Sequence, residues 1–334
     1  MSDKLDRRDF LIKSILASAG AVVGSMSIEE RALLASSANA PNVQQLNPYV
    51  ENLQTGKLGD LEISRLIIGG NLVAGYAHAR DLIYGNTLFK NYFTDAKIME
   101  TLQLAEEAGI NAVILNNLTR DMKPVNVLRR FWNEYGGKLH WIAQCNPQST
   151  DIKTNIRMAI DNGASAAFIQ GGIADGWVEH DRVDLIGDVV QFIQENGLPA
   201  GVGSHSLRTP KAVENAGINP DFYMKTLHHH NYWSAQLDEV KGDFYATSQK
   251  SHDNMWCTDP QETIAFMKQV KRPWIAYKVL AAGAIHPTDG FKFAYENGAD
   301  FIVAGMFDFQ VREDVVIAKN TLAGDLNRER PWMG

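Results

Sequence analysis

The sequence predicts a single (β/α)8 barrel, and three observations predict it. From residue 62 onward one cycle recurs: a short apolar, β-rich run, a polar or glycine stop, then an amphipathic stretch of helical period. The cycle occurs eight times, the number at which a parallel sheet with helical crossovers closes on itself. No G-x-G-x-x-G turn follows the first strand, so an open, doubly wound sheet has no support. The 334 residues suffice for one such domain, which typically takes about 250.

The strand candidates, in order, are 66–72, 112–116, 140–145, 166–171, 200–205, 222–227, 274–280 and 301–306. The helices between them carry their own punctuation. Thr94-Asp95 caps a helix that stops at Gly109, and Thr150-Asp151 starts another that runs to Asn162-Gly163. Asp259-Pro260 opens a third, running through Val270. Asn196-Gly197, Ala216-Gly217 and Asn297-Gly298 end three more. No second domain is visible. Residues 41–61 form a polar lead-in expected to cover the barrel's bottom, and the barrel domain takes 62–334. Two connections at the C-terminal ends of the strands are long, 71–93 and 228–258, and long connections in a compact domain are commonly functional.

The first forty residues have a different character. Arg7-Arg8-Asp9-Phe10-Leu11, with Lys13 close behind, match a twin-arginine export pattern, and an apolar stretch from Ile15 to Met26 follows. That stretch, softened by Gly20 and Gly24, is too short and too weak for a stable membrane anchor. Ala38-Asn39-Ala40 offers a cleavage site before Pro41. The expectation is export to the periplasm, or otherwise out of the cytoplasm, by the twin-arginine machinery.

Composition narrows the partners. The formal charge is −7, and no basic run or stripe appears, which argues against nucleic acid. The two cysteines, Cys145 and Cys257, lack the C-x-x-C spacing of a redox or zinc motif. An oxidising compartment leaves a disulfide between them open, beside the alternative of two buried free thiols.

In a barrel of this kind the active site forms at the C-terminal ends of the strands. Standing there are Asn71, Asn116, Asn117, Gln144, Gln170, His205, Lys225, His228, Lys278 and Asp308. The lysines are the sharpest signal, because each lies late in an apolar strand. With a period of two, Lys225 shares a face with Tyr223 and Leu227, and Lys278 with Ala276. If both point inward, two ammonium groups meet in a partly dry barrel, where desolvation and like charge each depress a lysine pKa. A neutral lysine forms a Schiff base with a carbonyl substrate. Trp233 and Trp256 suit a sugar-like ligand, as does Trp177. The backbone around Gly283 suits an anion. His205, His228, His230 and His252 raise a second chemistry, a divalent metal such as zinc, although their spacing matches no dedicated motif.

Two families are resembled locally. Lys225-Thr226, then Lys278-Val279-Leu280-Ala281-Ala282-Gly283, then Gly298-Ala299-Asp300, resemble class I aldolases of the deoxyribose-phosphate aldolase type. That resemblance implies a Schiff-base lysine at Lys225, a second lysine at Lys278 and a phosphate loop after it. It departs where Gln144-Cys145-Asn146 stands in place of an acidic residue, and at Leu227-His228-His229-His230. The run Leu58-Gly59-Asp60-Leu61-Glu62, leading to Gly69-Gly70 and Glu107-Ala108-Gly109-Ile110-Asn111, resembles the opening of aldo/keto reductases. That family's acidic residue after the second strand is Asn116-Asn117 here. As a whole the chain resembles the twin-arginine-exported barrel proteins of bacteria.

The leading expectation is therefore an exported lyase, of aldolase or dehydratase type, on a carbohydrate-derived carbonyl compound. Lys225 and Lys278 would supply the imine chemistry, and His205 or His228 would move protons. Asn71, Asn117, Gln144, Gln170, Trp233, Trp256, Gly283 and Asp308 would bind the substrate, with no cofactor. The alternatives are a metal-dependent isomerase, epimerase or hydrolase, a non-catalytic carbohydrate-binding barrel, and an NAD(P)-linked oxidoreductase.

Overall fold

A computed structural model describes residues 52–76, 82–116, 122–235 and 255–334. The signal segment, the start of the lead-in, Asn117 and His252 lie outside the described residues.

The described part of the lead-in is an antiparallel hairpin, β1 (Thr55–Leu58) and β2 (Leu61–Ser64), turning at Gly59 with φ +61°. The barrel strands follow: β3 (Leu66–Gly69), β4 (Ala112–Asn116), β5 (His140–Cys145), β6 (Ala166–Ile169), β7 (Ala200–Ser204), β8 (Phe222–Thr226), β9 (Trp274–Tyr277) and β10 (Phe301–Gly305). All eight are parallel and in sequence order, and β10 pairs with β3 to close the barrel. Each expected strand is present. The barrel sheet starts at Leu66, because 61–64 belong to the hairpin.

The helices are α1 (Gly85–Tyr92), α2 (Asp95–Glu107), α3 (Lys123–Tyr135), α4 (Thr154–Asp161), α5 (Gly171–Glu179), α6 (Val183–Glu195), α7 (Arg208–Asn215), α8 (Pro260–Met267), α9 (Pro287–Glu296) and α10 (Asp308–Ala323). Thr94 caps α2 by accepting the Lys97 N–H, and Asp259 caps α8 by accepting that of Glu262. Both side chains satisfy donors that a helix start leaves open. Helix α8 ends at Met267, one turn short of Val270.

Ile67, Ala112, Ile114, Ile142, Ala166, Phe168, Phe222, Met224, Ile275, Phe301 and Val303 fill the barrel. Burying each large side chain contributes roughly 1.5–3 kcal/mol. Phe168 and Phe222 meet edge to face at 6.4 Å. A Cβ at Gly201 would lie 2.3 Å from the Phe222 ring, so glycine is required there. Leu58 and Ile63 of the hairpin join this cluster and plug the barrel below β3 and β10.

The bottom is closed a second time by residues 328–334. Asp300, fully buried, accepts from Arg328, Arg330, Trp274 N and Met333 N. Arg330 also donates to the carbonyls of Met267, Val270, Arg272 and Gly298, between the end of α8 and β9 and before β10. Arg65 donates to the carbonyls of Asp300 and Gly334. The Arg65 and Arg328 guanidiniums both lie over the Trp332 ring, at 3.8 and 3.7 Å from its centroid.

Candidate active site

Alternation along the strands decides which side chains reach the barrel mouth. On β8, Phe222 and Met224 belong to the interior cluster, while Tyr223 reaches the helical layer and donates to Glu214 of α7 at 2.6 Å. Lys225 therefore lies on the outer face, beside Ser204 and Ala276 in register. It is buried, and its Nζ donates to Thr226 O at 3.1 Å and Thr226 Oγ1 at 2.8 Å. Lys278 stands one residue beyond the end of β9 with φ +58°, a left-handed turn that takes it off the strand. Its Nζ lies 3.7 Å from the centre of the Trp256 ring. The two lysines leave their strands differently, and both ammonium groups lie close enough to His205 at the mouth to act on it. The outer face of a parallel barrel is as buried as the inner one.

What the mouth does bring together is centred on His205, just past β7. Its Nδ1 faces Asp175 Oδ2 at 3.0 Å, and the carboxylate also accepts from His205 N, Ser206 N and Thr209 Oγ1. Asp175, on the buried side of α5, thus fixes the ring as an Nδ1–H tautomer with Nε2 as the proton-exchanging atom. Burial lowers the imidazole's pKa, the Asp175 carboxylate raises it, and Lys278 and Lys225 lower it again, leaving a net depression. Trp256 and Tyr277 flank the ring at 5.2 and 5.4 Å between centroids. Tyr277, in phase with Ile275, points across the mouth. Its hydroxyl is buried with no hydrogen-bond partner among the described residues, and burial holds its pKa well above the ordinary range.

Both ring nitrogens of His228 have backbone partners. Nε2 accepts from Trp256 N and Cys257 N at 3.0 and 2.9 Å, and Nδ1 donates to His229 O at 2.9 Å. His228 thereby holds the segment carrying Trp256. Burial pushes its pKa down to about 3. A group so depressed takes up its proton first in the unfolded chain, so the stability it contributes is present above about pH 6.5 and is lost as pH falls towards 3. The expected loss reaches a few kcal/mol. Urea melts between pH 7 and 4 should show a flatter decline in His228→Gln, whose amide oxygen can still accept. Parallel declines would remove His228 as the source.

The other predicted residues are dispersed. Gln144 faces inward in register with Asn116, in phase with Ile142. Gln170 caps α5, its Oε1 accepting from Ile173 N. Asp308 is occupied by Tyr92, which donates at 2.5 Å, and by Lys97 at 3.0 Å. Trp233 is 89% exposed, and Asn71 is exposed too. Gly283, with φ +90°, faces open space. His230 donates to Cys257 O, away from His205. Among the described residues no three His, Cys, Asp or Glu side chains are grouped to hold a metal. Cys145 and Cys257 are separate buried thiols, and burial pushes Cys145 up to about 12.

Sequence reasoning missed Asp175 and Tyr277. Tyr277 had a usable signal, its period of two from Ile275, whereas Asp175 sits inside a helix and gave none.

The chain matches no protein-family model and no curated protein by sequence. Among solved structures it is similar to an aldo-keto reductase from Bacillus halodurans in its holo form: 11% identity, TM-score 0.54, covering 85% of this chain and 100% of the other. A protein described as a candidate aldo-keto reductase from Pseudomonas aeruginosa gives 12%, 0.54, 83% and 99%. A protein solved in complex with NADPH gives 9%, 0.52, 80% and 88%. Aldolase-type barrels also align, with TM-scores of 0.41 and 0.42. At these identities the likeness shows the fold, a (β/α)8 barrel.

Proposed function

We propose that this chain is an enzyme that works on the carbonyl group of a small, polar, sugar-like substrate, by NAD(P)-linked reduction. The observation that carries the reading is the Asp175–His205 pair at the barrel mouth. Nε2 of an imidazole fixed in this way, unprotonated in the neutral ring, takes a proton from solvent and passes it from the imidazolium to the carbonyl oxygen as hydride reaches the carbon. Trp256 and Tyr277 wall the ring and limit water around it. Likeness to aldo-keto reductase barrels and to an NADPH complex supports reduction over the other carbonyl chemistries.

Such a reaction implies a nicotinamide dinucleotide, which supplies hydride to the carbonyl carbon when bound. The turn after β9, at the end of the seventh barrel strand, carries Ala281, Ala282 and Gly283 at positive φ with open space above Gly283. Its Ala281 and Gly283 N–H groups already donate to Lys278 O and Leu280 O, so it is not a ready phosphate cradle.

One observation favours a second reading, a Schiff-base lyase: Lys225 is a buried lysine late in the sixth barrel strand. A single experiment separates them. The protein is incubated with aldoses and ketoses, once with NADPH or NADH and once with borohydride. Cofactor oxidation that is lost in His205→Ala supports reduction. A borohydride-fixed adduct mapping to Lys225, without cofactor oxidation, overturns it in favour of the lyase. Export belongs to this proposal on the strength of Arg7-Arg8 and the apolar run after them, and cell fractionation reads it: cytoplasmic protein alone would refute it.

A further inference from the structure

We infer that the rim of the barrel mouth beside β3 and β10 is an interface at which two copies of this chain pair about a two-fold axis, helix α1 against helix α1.

Helix α1 and the residues at its ends carry two apolar stripes, and the barrel covers one of them. Gly85, Phe89 and Phe93 stand four residues apart on one face. Gly85 and Phe93 are buried, and the Phe89 and Phe93 rings pack on Phe307, just past β10, at 5.6 and 5.3 Å. Tyr84, Leu88 and Tyr92 repeat the same spacing one residue earlier and remain exposed. Leu82 and Ile83 extend this second stripe at its start. Phe309 extends it at the other end: its ring stacks on Phe307 at 5.2 Å, and Phe307 meets Tyr92 edge to face at 5.4 Å. These six side chains are 38–92% exposed. An isolated helix of eight residues is unstable in water, and only Gly85 of α1 is buried. The outer stripe therefore calls for a cover.

Area, charge and sequence each point to a second copy as that cover. Three aromatic and three aliphatic side chains at these exposures give a patch of roughly 700 Å². That is more than the largest apolar patch usual on a monomer, about 300–600 Å². It approaches the share of about 800 Å² that each partner gives to a stable interface. Residues 82–94 carry a single charge, Lys90, in a chain of net charge −7. The Lys90 stem lies against Gly75, where an added Cβ would come 2.4 Å from its Cγ. A partner chosen by charge, or an anionic bilayer, finds nothing to match on such a surface, whereas two copies meet there without like-charge repulsion. Finally, Tyr84, Leu88 and Tyr92 read the same in both directions. A two-fold axis at Leu88 sets leucine against leucine and tyrosine against tyrosine, as an isologous contact requires.

Sedimentation velocity of the full chain between about 1 and 100 µM is the test, and a dimer is expected within that range. Leu88→Asp sets two carboxylates against each other across the axis and should raise the dimer dissociation constant at least about thirtyfold. Because Leu88 is half exposed in the single chain, the variant should melt at the wild-type temperature at concentrations where both are monomers. Tyr135→Asp, at an exposed aromatic on α3, should leave the dimer intact. A wild type that stays monomeric up to about 100 µM overturns the inference. So does a dimer that Leu88→Asp leaves intact, or that Tyr135→Asp weakens equally. A monomer that sediments with vesicles of phosphatidylcholine and phosphatidylglycerol, and stops doing so in Leu88→Asp, assigns the patch to a bilayer instead. A monomer whose Leu88→Cys thiol resists maleimide assigns it to the chain's own residues, since Cys145 and Cys257 are buried and stay unlabelled. Either result removes the second copy.

Discussion

Asp300→Ala is expected to destabilise the protein by about 3–5 kcal/mol, enough to leave much of it unfolded at 37 °C. The carboxylate is fully buried and faces two guanidiniums, Arg330 at 2.5 Å and Arg328 at 3.1 Å. Removing it leaves two buried cations with only carbonyl partners. It also frees the backbone N–H groups of Trp274 and Met333, so the start of β9 and the strap at 328–334 lose their common anchor. Desolvation already pushes the Arg328 pKa down to about 10, with Asp300 pulling the other way, which shows how far that guanidinium depends on its carboxylate. Urea denaturation measures the effect. A loss below about 1 kcal/mol would mean that hairpin and strap hold the bottom of the barrel by apolar contact alone.

Asp175→Asn should lower turnover by about 10²–10⁴. The amide is close in size to the carboxylate but does not stabilise the protonated ring as His205 takes up a proton. It also presents an NH2 group where His205 N, Ser206 N and Thr209 Oγ1 now donate to oxygens. Either orientation of the amide therefore disturbs the ring's tautomer. Steady-state kinetics would show the loss in kcat with KM less affected, because Asp175 touches His205 and not the substrate. Turnover within threefold of the wild type would remove the dyad from the mechanism, whatever binds at the mouth.

The two parts of this protein were legible in the sequence to different degrees, for a physical reason. Strands of a parallel barrel are buried on both faces, so each reads as an apolar run between turn signals, and all eight could be placed. The same double burial hides which face is inner. Phe222, Tyr223, Met224, Lys225 and Thr226 are all buried, and nothing in that run says that Phe222 and Met224 fill the barrel. A lysine on such a strand looks like an active-site group from either side. Only Tyr223 reaching Glu214 settles the phase. On β9 the reading picked out Lys278, whose ammonium lies over the Trp256 ring, and passed over its neighbour Tyr277, whose ring flanks His205. His228 was equally ambiguous, since a histidine that ties backbone and one that moves protons have the same letter.

The seam between β10 and β3 has a consequence for the time course of folding. Arg65 meets Asp300 across 235 positions and Gly334 across 269, and Tyr295 meets the carbonyl of Arg65 across 230. Contacts so distant in sequence form late, after the local strand–helix units have condensed. Until they form, the sheet is an open arc with two unpaired parallel edges, one made by the first barrel strand synthesised and the other by the last. Any delay or truncation beyond residue 298 therefore prolongs the one state in which this protein offers its own strands as templates for aggregation. Closure and protection from self-association are the same event.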